Sequence, residues 1–137
     1  MSVNWRFVTA GRAIFTVSNP KGERYTFKVT KKDTSERGPE IFFGALLTGS
    51  DNESDYTYMG VVTGETVRTT KASRYAQDSK PVKVLAWALA VVNGKRNLPE
   101  GYAIRHEGRC GRCGRTLTVP ESIDNGIGPD CATVMGL

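Results

Sequence analysis

Apolar and polar positions alternate through most of the first half of the chain. Tyr25, Phe27 and Val29 alternate with Thr26, Lys28 and Thr30, the period of a half-buried strand. Residues 14–17 carry a similar β-branched and aromatic run, and between the two lies Ser18-Asn19-Pro20-Lys21-Gly22. Pro20 pre-sets its own φ and Gly22 accepts a positive one, so the two runs are expected to be the arms of a hairpin. Trp5–Val8 and residues 13–17, separated by Ala10-Gly11-Arg12, read as two short strands of the same sheet. Further strands are expected at residues 41–47 and 56–62, and residues 66–69 pair back after a turn at Gly64. The polar stretches 31–40, ending in Gly38-Pro39, and 48–55, rich in acid, are loops.

The period changes near residue 80. Val84, Leu85, Ala88, Leu89 and Val92 form one helical stripe, widened by Trp87 and Val91. Ser79 is placed to cap the helix and Pro81 falls in its first turn, where a missing N–H costs little. Asn93-Gly94 stops it, with Lys95 and Arg96 at the negative end of the dipole. Residues 101–106 then read as a last strand. The expected fold is α+β: an antiparallel sheet with one covering helix over residues 1–103, and a small C-terminal zinc-knuckle module over 104–137.

Charge and composition narrow the function classes. Nineteen Lys and Arg against fourteen Asp and Glu give a net charge of +5, a moderate excess that favours a polyanionic partner. No apolar run approaches the ~20 residues that cross a bilayer. Residues 1–10 lack the charged start and apolar run of a secretory signal, so a cytoplasmic protein is expected. Three cysteines cannot all pair within one chain, and all three lie between Cys110 and Cys131. Such clustering suits a metal in a reducing compartment.

The metal signal sits in His106-Glu107-Gly108-Arg109-Cys110-Gly111-Arg112-Cys113-Gly114-Arg115. A Cys-x2-Cys step turns both sulfurs onto one ion, and the glycines let backbone amides bend toward the thiolates. Cys131 follows Gly128-Pro129-Asp130, a helix start, where the dipole favours a thiolate. A closed zinc site needs a fourth ligand, and the lone histidine, His106, is the expected one. Asp130, Asp124 or a water are the alternatives. A thioredoxin-like redox pair fits less well, because glycines surround the cysteines where a strand and a helix should flank them. Leu117, Val119, Ile123 and Ile127 can pack around the ion. So small a core needs Zn2+ as part of its folding energy.

The stretch from Cys110 to Cys131, with its Cys-Gly-Arg-Cys-Gly-Arg and Gly-Ile-Gly-Pro-x-Cys parts, resembles a family of small uncharacterised zinc-binding modules. These recur in bacteriophage and actinobacterial proteins. The likeness includes the upstream histidine and covers residues 106–132. It implies zinc and, loosely, nucleic-acid business, and it supplies no activity.

Around the expected ion stand Arg109, Arg112 and Arg115, which can clamp phosphates. Lys71 and Arg74, with Arg68, Lys80 and Lys83, form a second basic set. Tyr56, Tyr58 or Tyr75 could stack bases of a single strand crossing the sheet. With a closed site, no phosphate loop, no nucleophile elbow and no deaminase signature, no catalytic residue is expected and the chain is read as not an enzyme. The expected function is a zinc-containing DNA- or RNA-binding accessory protein of phage type. The alternative is a module that inhibits or redirects a host protein, with Asp51, Glu53, Asp55 and the sheet edge as contact surfaces.

Overall fold

A computed structural model of the chain describes residues 3–32 and 40–137; residues 33–39 of the expected 31–40 loop lie outside them. The chain forms α1 (Trp5–Val8), β1 (Arg12–Ser18), β2 (Arg24–Lys31), β3 (Phe42–Leu47), β4 (Tyr56–Thr63), β5 (Thr66–Arg68), α2 (Lys80–Val92), β6 (Ala103–His106), α3 (Pro120–Asn125) and α4 (Pro129–Val134). The strands make one antiparallel sheet in the order β5-β4-β3-β2-β1-β6. The first five form a meander, and the chain returns through α2 so that β6 pairs with β1. The expected α+β architecture is the one observed.

The β1–β2 hairpin forms as its alternation requires. Its turn is held by Asn19, whose Oδ1 accepts from the Lys21 and Glu23 amides at 3.0 Å each, with Gly22 at φ +85°. The Thr16 and Thr26 hydroxyls, opposite each other, are 2.7 Å apart. In β4, a register shift against Gly44/Ala45 leaves Met59 as the extra residue, wholly buried. Gly44 lets α2 pack close, because a Cβ there would come within 2.9 Å of Leu85 Cδ2 and force that side chain to shift.

Three expectations are corrected. Trp5–Val8 is one helical turn, not a strand. Asn4 Oδ1 accepts the Phe7 amide at 2.8 Å and the Thr9 hydroxyl donates to the Trp5 carbonyl, so local capping overrides the β preference of the run. On α2 the buried residues are Val82, Leu85, Ala88 and Leu89; Val84, Trp87, Val91 and Val92 flank them, partly buried. Ser79 occupies the N-cap position, but its hydroxyl donates to the Ala76 carbonyl and makes no cap.

One face of the sheet carries the core. Ala13, Phe15, Val17, Phe27, Val29, Phe42, Leu46 and Ile104 pack there against Phe7 and Val8 of α1 and the buried stripe of α2. A second, much smaller cluster joins Cys110, Leu117, Ile127 and Cys131, with Ala10, Ile123, Ala132 and Met135 at its margin. Among the described residues no helix is long and apolar enough to cross a membrane.

Candidate metal centre

The C-terminal segment is bound to the sheet before it reaches the first cysteine. β6 pairs with β1, and further on the Arg12 amide donates to the Gly111 carbonyl at 2.7 Å. A tight knuckle follows. The Cys110 amide donates to the Arg115 carbonyl and the Gly114 amide to the Cys110 carbonyl, both at 2.8 Å, with Gly114 at φ +80°. The isolated bridge between Arg109 and Thr116 closes its base. α3 ends on Gly126 at φ +73°, whose carbonyl accepts the Gly111 amide at 2.7 Å. The chain then turns through Gly128 into α4, with Pro129 and Asp130 in its first turn and Cys131 buried.

This folding brings Cys110, Cys113 and Cys131 together: their sulfurs all lie within 4.8 Å of one another, close enough that a small adjustment would let them share one ion. Cys110 and Cys131 are buried and Cys113 is exposed. The local field is built for thiolate. Burial pushes the Cys110 thiol up, but the amides of Gly128, Cys113 and Arg112 outweigh it and bring the group down to about 7. Cys113 moves the other way, raised by burial and by the neighbouring sulfurs against the pull of the Arg115 amide. Arg112 Nη1 stands 3.4 Å from Cys131 Sγ. Three thiols in such reach, with amides and a guanidinium facing them, can hold a metal ion.

His106, expected as the fourth ligand, is not grouped with the three thiols. The imidazole is buried, 2% exposed, on the core face of β6, stacked on Phe7 with ring centroids 5.1 Å apart. Its Nδ1 accepts the Gly108 amide at 3.0 Å, and its Nε2 lies 2.8 Å from the Ile123 carbonyl. An amide can only donate and a carbonyl can only accept, so the ring is the Nε2–H tautomer and has no lone pair left for a metal. Burial lowers its proton affinity despite the Ile123 carbonyl, which keeps it neutral. His106 ties α3 to the sheet. Its replacement, His106→Ala, is therefore expected to leave metal stoichiometry unchanged by mass spectrometry or metal analysis. Stability should fall by ~1–3 kcal/mol, from the two stranded backbone groups; loss of metal instead would restore the imidazole as a ligand.

The alternatives for the fourth position do not converge either. Asp130 is outside the thiol group and its Oδ2 faces Arg115 at 3.9 Å, both side chains largely solvated. A cleft beside Cys113 and Cys131, lined by Arg112, Arg115, Ser122 and Asp130, adjoins the cluster. Among the described residues no fourth side chain joins the three thiols, and the cleft opens beside two of them.

The five expected nucleic-acid residues are not brought to one patch. Arg109 Nη1 is bound to Glu53 Oε1 at 2.8 Å and to the Gly114 carbonyl, and Arg112 faces the thiols. Arg115 is largely in solvent, its side chain 82% exposed beside Asp130. Lys71 and Arg74 are exposed after β5, at the opposite edge of the sheet. The acidic loop is also engaged: Asp51 accepts the Glu53 amide, Asp55 accepts the Asp51 amide, and the Glu53 carbonyl accepts Lys28 Nζ. Sequence reasoning missed the Arg109–Glu53 pair, which spans 56 residues and leaves no local signal.

Residues 103–136 match the model of a family described as a family of unknown function, DUF6011. No curated protein and no solved structure matches the chain.

Proposed function

We propose that the chain is a zinc-stabilised accessory protein that binds nucleic acid and does no chemistry of its own. The carrying observation is the convergence of three thiols within 4.8 Å on a knuckle and a helix start. Three soft ligands favour Zn2+, and a four-cysteine iron–sulfur cluster is beyond a chain with three cysteines. Reduced thiols suit the cytoplasm, and the motif's likeness to phage modules supports a phage setting.

A fourth position without a protein ligand would not make the ion a strong catalyst. Three thiolates on Zn2+ leave a net charge of −1, which weakens its pull on a bound water compared with neutral imidazole ligands. No second imidazole exists to move a proton. Zinc here serves to fold and anchor the tail, with outside groups reaching it through the cleft.

The nucleic-acid reading is supported by the net charge of +5 and by the exposed Arg115, Lys71 and Arg74. Affinity for DNA or RNA should fall linearly on a log–log plot against salt, with a slope of about −0.7 to −0.9 per phosphate contacted. The double variant Arg74→Glu, Arg115→Glu should weaken binding while zinc content stays constant. Absence of binding to both duplex and single strands at low salt would overturn the reading. A nuclease-insensitive stoichiometric complex with a cell protein in its place would favour a protein-interaction module.

A further inference from the structure

The second face of the sheet lies outside the main core cluster, with Ile14 its one buried side chain in the two rows that follow. Register places Arg12, Thr30, Phe43, Val61 and Arg68 in one row across β1 to β5. Ile14, Lys28, Ala45 and Tyr58 make the next row. Both rows point away from α1 and α2, which pack on the other face, while α3 and α4 gather about the cysteines. Among the described residues no helix covers these rows. The 48–55 loop reaches their Lys28 end, through the Glu53 carbonyl, and the knuckle meets their Arg12 end, where the arginine side chain lies beside Gly114.

The composition of this face is particular. Phe43 and Tyr58 sit edge to face, centroids 6.1 Å apart at 64°, both partly exposed. Lys28 Nζ lies 4.9 Å from the centre of the Tyr56 ring. Arg12 and Arg68 close the first row at its two ends, both exposed. The Arg74 amide donates to the Tyr58 carbonyl at 3.2 Å, so a further exposed arginine stands at the β4 edge. Arg105, opposite Thr16 on β6, faces the same way. Neither row contains a carboxylate, and Glu53, the nearest acid on the loop, is already paired with Arg109.

The geometry points to this face as a platform for single-stranded nucleic acid, with Phe43 and Tyr58 stacking bases and Arg12, Lys28, Arg68 and Arg74 meeting phosphates. The inference rests on the nucleic-acid reading above and gives it a place and a strandedness. Aromatic rings standing on a sheet offer π-faces that any unpaired base can meet, whereas bases inside a duplex cannot reach them. Cations at both ends of the ring-bearing row follow the backbone of such a strand. A protein partner would be served equally by an uncharged apolar face; the only charges in the two rows are cations, with Glu107 and Asp51 near Tyr56 at their margin, and this net positive charge favours the polyanion.

The test compares the full-length zinc-loaded protein with a labelled pyrimidine oligonucleotide, as single strand and as duplex, by fluorescence anisotropy at low salt. The single strand should bind more tightly. Tyr58→Leu should weaken it on the order of tenfold, and Tyr58→Phe, which keeps the ring, should restore it, with melting temperature and zinc content as folding controls. Because a variant can fail for lack of folding, the wild-type chain is also photocrosslinked to the same strand carrying 5-bromouracil. Adducts on β3 or β4 support the platform. Adducts confined to residues 109–131, preference for duplex, or unchanged binding by Tyr58→Leu would overturn it. If wild type binds no nucleic acid at all, the failure belongs to the proposed function itself.

Discussion

Stripping the metal from reduced protein is expected to unfold residues 107–137 and to leave the six-stranded sheet standing. The asymmetry follows from the two clusters. The sheet core holds Phe15, Phe27, Met59, Leu85 and Leu89, all wholly buried, from the strands and α2 alone. The C-terminal cluster has Leu117 and Ile127 as its only fully apolar buried members, and its other two are the thiols of Cys110 and Cys131. Two such side chains are too small a core to order a tail of this length by themselves. A structural zinc supplies on the order of 10–16 kcal/mol. Hydrogen exchange should show amides of the knuckle, such as those of Cys110 and Gly114, losing protection on chelation while those of β1 to β3 keep theirs. Cys131→Ser should act in the same direction and lower zinc affinity by more than the ~10–100-fold typical of outer-shell changes. Unchanged protection across residues 110–131 in metal-free, reduced protein would remove the metal from the folding of the tail.

What the sequence made legible was whatever had a short period. The β1–β2 hairpin, the strands at Phe42–Leu47 and Tyr56–Thr63 and the long helix all announce themselves by alternation, by helical spacing and by the Pro-Gly turn between them. The thiol cluster was legible because a Cys-x2-Cys step constrains its own geometry and Cys131 follows a helix start. The errors fall where the deciding partner is distant or is a backbone group. Asn4, a cap, turned a β-like run into a helix. His106 has ligand spacing from Cys110, but its two nitrogens are claimed by the backbones of Gly108 and Ile123; the second contact comes from a helix 17 residues on and has no trace in the motif. The charge of Arg109 is likewise spent on Glu53 across the fold, so counting arginines near the cysteines overstated the free cation there and understated the sheet face.

That displaced imidazole points to Phe7 as the joint between the two clusters, and to the second large effect. Phe7 belongs to the one-turn helix at the start of the chain, is 1% exposed, and stacks on His106 at an interplanar angle of 30°. It also sets the two glycines of the tail. A Cβ on Gly111 would stand 2.7 Å from Phe7 Cδ1, and one on Gly126 would collide with the same ring; both glycines are needed for the knuckle and the end of α3 to close over it. Phe7→Ala therefore removes a ring contacted from α1, from β6 and from both turns of the metal module, and leaves a cavity at their junction. The expected cost is about 3–5 kcal/mol, which for a chain of this size is a fall in melting temperature of roughly 10–20 °C. Zinc should remain bound, because its buried thiols, Cys110 and Cys131, belong to the other cluster, yet exchange protection should drop at the Gly111–Gly126 hydrogen bond and along β6. Phe7→Leu, which keeps most of the volume, should recover the larger share. A melting shift below about 3 °C for Phe7→Ala would mean that the tail is held to the sheet by the β1–β6 pairing alone.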